Sequence, residues 1–239
     1  MEHFTLSPDG RFMALRGSSQ KGGGVINFLD ATTLQWATQV RIESHGGIAD
    51  FAWWSDSKGL TIAGKNGEVT EWSLQEQKPV GRWQDEGAVG TTIIALGGKS
   101  GRGDWIGGDR WVAVGSSSGI VNIYDRRQWH GSSTDTDENG GLAANPKPTR
   151  MLDQLTHPIS HLRFSPDGQL LVLASKWKKD ALRLVHLPSC TVYRNWPTSS
   201  TPLGRITAVT WGKGDGEQAE MILAVANEAG KIRLWEVRG

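Results

Sequence analysis

With 239 residues and nearly balanced charge (26 Lys and Arg against 25 Asp and Glu, net +1), the chain has room for a large core and no overall pull toward nucleic acid or acidic lipid. The lone cysteine, Cys190, excludes an internal disulfide framework and suits a reducing compartment. The 31 glycines and 12 tryptophans favour many turns joining strands of large side chains over a helical fold. No apolar run reaches the ~18 residues of a membrane span, and the first residues do not read as a secretory leader. The expectation is a soluble intracellular chain.

The first segments are EHFTLSPDG at 2–10, RFMALRGSSQKGGGVINFLD at 11–30 and LQWATQV at 34–40. Pro8, Asp9 and Gly10 suit a type I turn, Pro presetting φ at its second position. A second set follows: IADFAWW (48–54), GLTIAGKNGEVTEWSL (59–74) and a strand near PVGRW (79–83). Asn66-Gly67 is the strongest hairpin signal in the chain. The third set is VGTTIIAL (89–96) and RWVAVGSSSGIVNIYD (110–125). Two inserts interrupt it, a flexible Gly-rich stretch at 97–109 and a polar stretch at 126–147 that reads as an exposed or disordered loop.

The fourth set runs ISHLRFSPDG (159–168), QLLVLASKWKKDALRLVHL (169–187) and TVYRNW (191–196). The fifth is ITAVTW (206–211), then MILAVANEAGKIRLWEV (221–237), an apolar strand, a turn ending in Gly230 and an alternating strand. Aligning the last large residue of each third strand gives Leu29, Trp72, Tyr124, Val185 and Trp235. A four-stranded period of roughly 40–50 residues, ending near Trp-Asp or its relatives, is the WD-repeat signature of a β-propeller. Trp235-Glu236 and Tyr124-Asp125 are variants of that ending. The expected fold is therefore all-β: residues 1–239 form one partial propeller domain of about five four-stranded blades, the last lacking its outer strand. A packed strand so near the first residue, and an open edge at the end, predict that the chain begins inside a larger propeller.

Reactive chemistry is sparse. Gly98-Lys99-Ser100 resembles the tail of a phosphate-binding loop, but Ile93 stands where the motif needs its first Gly. Of the six histidines (His3, His45, His130, His157, His161 and His186), none has metal-type spacing. His45 and His157 precede first strands, where a structural hydrogen bond to strand Ser, Thr or Asp groups is the expected role. No Gly-x-Ser-x-Gly elbow occurs. The sequence predicts no enzyme activity, no cofactor, no metal and no small-molecule substrate. Arg102-Gly103-Asp104 is a chance tripeptide in such a chain. Arg126-Arg127 lacks the neighbours that lipid-binding propellers place beside paired arginines. The most suggestive contact residues are Lys176, Trp177, Lys178 and Lys179, at a turn between two strands. Lys neutralises phosphates and Trp offers a stacking face, so the turn suits RNA or a protein partner; a merely solvated turn has the same composition.

ALRLVHLPSCTVYRNWPTS at 181–199 resembles the corresponding stretch of the U-three small nucleolar RNA-associated protein eighteen family, WD-repeat subunits of the small-subunit processome. EVTEWSL, SSGIVNIYD, NPKPTR (145–150) and VANEAGKIRLWEV extend the resemblance nearly end to end. It implies the C-terminal part of a propeller of about seven blades. It also implies a nucleolar, non-enzymatic scaffold for pre-rRNA processing and small ribosomal subunit assembly. The implied partners are other processome subunits, with pre-ribosomal RNA and snoRNA touched directly or through the complex, and no membrane. The repeats alone fit equally a generic WD-repeat adaptor for a peptide or protein in another intracellular complex. Expressed alone, residues 1–239 are expected to be aggregation-prone or loosely folded.

Overall fold

The computed structural model describes residues 3–18, 24–42, 46–87, 89–99, 106–129, 144–198, 200–214 and 221–237. They form five antiparallel sheets whose strands follow one another in chain order. The first holds β1 (Phe4–Leu6), β2 (Phe12–Ser18), β3 (Gly24–Asp30) and β4 (Trp36–Ile42); the second holds β5 (Ile48–Trp53), β6 (Gly59–Gly64), β7 (Glu68–Ser73) and β8 (Lys78–Gln84). The third holds β9 (Thr91–Lys99), β10 (Asp109–Ser116), β11 (Val121–Asp125) and β12 (Arg150–Leu152). The fourth holds β13 (His161–Phe164), β14 (Leu170–Ala174), β15 (Leu182–His186) and β16 (Thr191–Val192). The fifth has three strands, β17 (Ile206–Lys213), β18 (Met221–Asn227) and β19 (Ile232–Val237). Two short 3-10 turns, Ile106–Gly108 and Arg126–Gln128, are the helical elements among the described residues.

The sheets stack in order, because inner strands such as β6, β11 and β14 are buried on both faces. Ile26, Phe28 and Val40 of the first sheet meet Phe51, Trp53 and Ile62 of the second. Val69 and Trp83 of the second meet Val112, Val114 and Tyr124 of the third. Ala113, Ile123 and Leu152 of the third meet Leu171, Leu173 and Val185 of the fourth. Val172 and Leu184 of the fourth meet Val209, Leu223 and Val225 of the fifth. First strands also touch across the stack, β5 with β9, β9 with β13 and β13 with β17. Stacked four-stranded sheets whose first strands face one another are consistent with a β-propeller-like fold.

The five aligned residues follow one rule. Trp72, Tyr124, Val185 and Trp235 each pack into the seam with the preceding sheet. Leu29 pairs through Met13 with Leu6, on the face of the first sheet opposite Ala14 and Phe28. That face carries Phe4 and Leu6, 60% and 54% exposed. The outer face of the fifth sheet is open in the same way at Ile232 and Leu234.

The SPDG turns repeat atom for atom: the hydroxyls of Ser7 and Ser165 donate to Asp9 and Asp167 at 2.6 and 2.5 Å. Gly10 and Gly168 both sit at positive φ, which an L side chain disfavours. Trp36–Ile42 replaces the strand expected at 34–40, and the strand expected at 191–196 shortens to Thr191–Val192. The two inserts need correction. β9 runs on through Gly97 to Lys99, paired with Trp111 and Asp109 of β10, so the Gly-rich stretch begins as sheet. Its other end is packed: Gly107, at φ 68°, lies so close to Trp54 that a Cβ there would stand 2.3 Å from that ring's Cγ. Residues 100–105, with Trp105 and the Arg102-Gly103-Asp104 tripeptide, fall outside the described residues.

The 126–147 stretch opens in the core. Arg126 is 1% exposed, and its Nη2 donates to Glu71 Oε1 at 2.7 Å across the seam between the second and third sheets. Glu71 also accepts from Trp83 Nε1, Trp54 Nε1 and Thr61 Oγ1, so its lone pairs are well used. Arg126 Nη1 donates to the Ile106 carbonyl at 2.6 Å. Trp129 packs edge-on against Trp83 and Tyr124. After residues outside the description (130–143), the chain returns as β12, the fourth strand that the sequence pattern did not reveal.

Candidate nucleic-acid interface

The expected contact residues lie together on the turn joining β14 to β15. The turn closes through Ser175 N–H to the Ala181 carbonyl at 3.0 Å, and Ser160 Oγ accepts from Lys176 N–H at 2.8 Å. Its far end is pinned by Asp180, whose carboxylate accepts from the N–H groups of Leu203 and Gly204 at 2.6 and 2.8 Å. Trp177 is 57% exposed, and Lys176 Nζ sits 5.0 Å from its ring centroid. Lys178 and Lys179 are exposed, and none of the three lysines has an ion pair among the described residues. A rigid turn with free ammonium groups and one large aromatic face suits an anionic, stacking ligand. One face of the indole is already occupied by the Lys176 cation.

A second basic feature escaped the sequence reading. A groove of about 630 Å³ opens along the seam between the third and fourth sheets. Arg150 on β12, Arg183 on β15 and Arg194 beyond β16 line it together with Tyr193 and Trp196. These arginines are far apart in sequence, so no charge run announces them. The signal was present only as their occurrence in NPKPTR and ALRLVHLPSCTVYRNWPTS, the segments that carried the family resemblance. Cys190 also lines the groove, but burial pushes its thiol above the ordinary value, so it is no ready nucleophile.

The described histidines bond hydroxyls, a backbone carbonyl or a carboxylate. His157 Nδ1 lies 3.1 Å from Thr156 Oγ1, and His186 Nδ1 lies 2.7 Å from Ser189 Oγ. His161 bonds Ser160 through one ring nitrogen and the Thr207 carbonyl through the other. Its second nitrogen therefore meets a carbonyl, not the carboxylate of a catalytic triad. His3 lies 2.9 Å from Asp50. His45 and His130 fall outside the described residues. Arg127 and Arg110 both bind Asp125 (2.6 and 2.9 Å). Burial raises the Asp125 carboxyl, yet these guanidinium bonds outweigh it and hold it below the usual range. The Arg126-Arg127 pair is thus spent on structural carboxylates. Among the described residues no group of three His, Cys, Asp or Glu could hold a metal ion, and no helix is long and apolar enough to cross a membrane.

No family model matches the chain. Curated relatives match it almost end to end. It is 44% identical over 232 residues to the U3 small nucleolar RNA-associated protein 18 of Saccharomyces cerevisiae, covering 91% of this chain and 36% of that protein. It is 41% identical over 237 residues to the probable U3 small nucleolar RNA-associated protein 18 of Schizosaccharomyces pombe, covering 99% and 40%. The homolog from Mus musculus is 31% identical, covering 99% and 38%. The chain spans about two-fifths of the length of these relatives. Over nearly all of its own length, the chain is homologous to proteins named U3 small nucleolar RNA-associated protein 18.

Proposed function

We propose that this chain is a non-enzymatic scaffold subunit of the small-subunit processome, acting in nucleolar pre-rRNA processing and small ribosomal subunit assembly. The observation that carries this reading is the match to proteins named for association with the U3 small nucleolar RNA, at up to 44% identity across nearly all of the chain. The name points to ribosome biogenesis, a nucleolar location and a ribonucleoprotein setting.

In this reading the five sheets are blades of a WD-repeat propeller of about seven. The remaining blades would come from the part of the relatives' length that this chain does not span, and would cover the open faces at Phe4 and Leu6 and at Ile232 and Leu234. The rims dock neighbouring processome subunits, and the Lys176–Lys179 turn contributes an RNA or protein contact. No step of covalent chemistry is assigned.

The test is sedimentation of the tagged protein from cell extract, with the U3 RNA probed across the gradient. Expected is recovery in large pre-ribosomal particles that contain U3. A protein found only in light fractions, associated with a signalling partner and free of ribosome-assembly factors, would overturn the reading in favour of a general adaptor.

A further inference from the structure

We infer that the groove along the seam of the third and fourth sheets is a binding site for single-stranded RNA, with Arg150, Arg183 and Arg194 holding phosphates and Tyr193 presenting a stacking face. The inference rests on the RNA-linked function proposed above, but it concerns residues apart from the Lys176–Lys179 turn.

Charge provides the first argument. The whole chain carries a net charge of +1, yet the groove gathers three guanidinium groups and no carboxylate. Three other arginines do have carboxylates: Arg126 meets Glu71, and Arg110 and Arg127 both meet Asp125. Among the described residues, Arg150, Arg183 and Arg194 have no acidic partner. Arg183, among the described residues, donates to its neighbour's carbonyl, Leu182, at 2.7 Å. Asp153, close by in sequence, does not line the groove and accepts from Gln154 at 2.9 Å. Three like charges that converge without a counter-ion raise one another's energy, and an anionic ligand removes that cost.

Geometry narrows the ligand. A guanidinium matches the oxygens of a phosphate in a two-point fork. The three come from separate places, β12 of one sheet, β15 of the next and the segment beyond β16, so a linear polyanion lying along the seam reaches all of them. Tyr193 is 37% exposed and meets His186 edge-to-face at 6.5 Å, an arrangement that leaves room for a base on its open side. Trp196 is fixed at right angles to Trp235, 5.4 Å away, and stiffens that wall. Bases must be unstacked to reach such a wall, which selects single strands over duplex.

An acidic peptide shares the charge but fits the backbone poorly. A peptide would dock by adding a strand to an open edge. Here Tyr193 N–H already binds the Leu184 carbonyl, and Pro197 has no N–H to offer. Recognition therefore falls to side chains, and these are of the phosphate-and-base kind.

The test is an anisotropy titration of the purified chain with a fluorescein-labelled oligouridine over a salt series. Single-strand binding loses affinity with salt by a log–log slope of roughly 0.7 per phosphate neutralised, so three arginines account for about 2. Expected for Arg150→Ala/Arg183→Ala/Arg194→Ala is a loss of about tenfold or more and a slope smaller by about 2. Arg150 and Arg194 are exposed, so the double variant Arg150→Ala/Arg194→Ala keeps the fold and should lose most of the same affinity. Lys58→Ala/Lys65→Ala/Lys78→Ala removes equal charge elsewhere and should leave the slope near that of the wild type. Unchanged binding in the groove variants, equal losses in the charge-matched control, or oligoglutamate competing more tightly than RNA would each overturn the inference. Sedimentation with pre-ribosomal particles does not depend on this titration, so the two readings fail separately.

Discussion

The seam between the second and third sheets and the seam between the fourth and fifth solve the same packing problem with opposite chemistry. The former buries a full ion pair, Glu71 with Arg126, and surrounds it with donors from Trp54, Trp83 and Thr61. The latter is apolar at its centre, with Leu170, Val172, Leu203, Val209, Leu223 and Val225, and keeps its polar links at the rim. Those links are His161 to the Thr207 carbonyl, Asp180 to the amides of Leu203 and Gly204, and Trp211 Nε1 to the Arg163 carbonyl. An apolar seam tolerates a small slide; a buried charge network has one arrangement in which every group is satisfied. The polar seam should therefore be the brittle one.

Glu71→Ala is the sharpest test of that brittleness. It leaves Arg126 charged and buried and strips partners from three further donors. The expected loss is about 4 kcal/mol in a urea melt. Replacing the pair together, as Glu71→Leu/Arg126→Met, should recover the share due to the stranded charge, while the donors of Trp54, Thr61 and Trp83 still lack the Glu71 acceptor. A single variant that loses under about 1 kcal/mol would show that water reaches the pair, and the contrast between seams would fall.

Leu223→Ala probes the apolar seam. Leu223 is 1% exposed, and the cavity left among Leu170, Val209 and Trp235 should cost roughly 3 kcal/mol. The loss should be reduced by collapse if this seam slides as argued. A second cavity variant, Val225→Ala, should then cost less than the same loss of two methyl groups in a rigid core.

Acid should pull the two seams in opposite directions, with smaller effects. Burial lowers the His161 imidazole below its ordinary 6.5, helped by the charges of Arg163 and Lys176 and opposed by the Thr207 carbonyl. A depressed folded value means the stability is present above 6.5 and is lost as pH falls through the folded value. Burial instead raises the carboxyls of Asp85 and Asp109 above 3.8, against the hydrogen bonds of Tyr124 and Ser55. Their contribution is fully present below 3.8 and is lost as pH rises through the folded values. Amide exchange, corrected for its intrinsic pH dependence, reads each seam separately. Between pH 7.5 and 5.5, roughly a span across the histidine range, β17 and β18 should lose protection while β7 and β11 do not. His161→Gln should flatten the response; an unaltered response would remove His161 from the argument.

The sequence showed the strands and their order more readily than the seams. Alternation and turn residues are local, so Asn66-Gly67, the two SPDG turns and the 221–237 hairpin could be read directly. The alignment of Trp72, Tyr124, Val185 and Trp235 marks one repeated contact, each packing into the seam with the preceding sheet, while Leu29 lies on the open face of the first sheet. Arg126 and Arg127 show where such reading stops. They are adjacent and identical, yet Arg126 lies in the core against Glu71 while Arg127 is half exposed on Asp125. Only the register of β11 decides which points inward. β12, at Arg150–Leu152 just beyond the 126–147 stretch, stayed hidden because three residues are too few to show alternation and need a partner to form a strand. The arginine groove was hidden for a related reason: its residues converge through sheet stacking, which no periodicity records.

The smallest expected effect distinguishes a seam from a face with no neighbour. Within the fifth sheet, Leu223 points into the fourth while Leu234, paired with Ala224, points away and is 64% exposed. Replacing an exposed side chain moves stability by no more than about 0.5 kcal/mol, so Leu234→Lys should leave the melt of the isolated chain where it was. The same change should reduce light scattering, because the apolar outer face with Ile232 is where copies would stick. If Leu234→Lys instead lowers the melt as much as Leu223→Ala does, the outer face is covered in solution, and the fifth sheet has a neighbour on both sides. The distinction between seam and open face would then vanish, and the added partner would have to be sought on that surface.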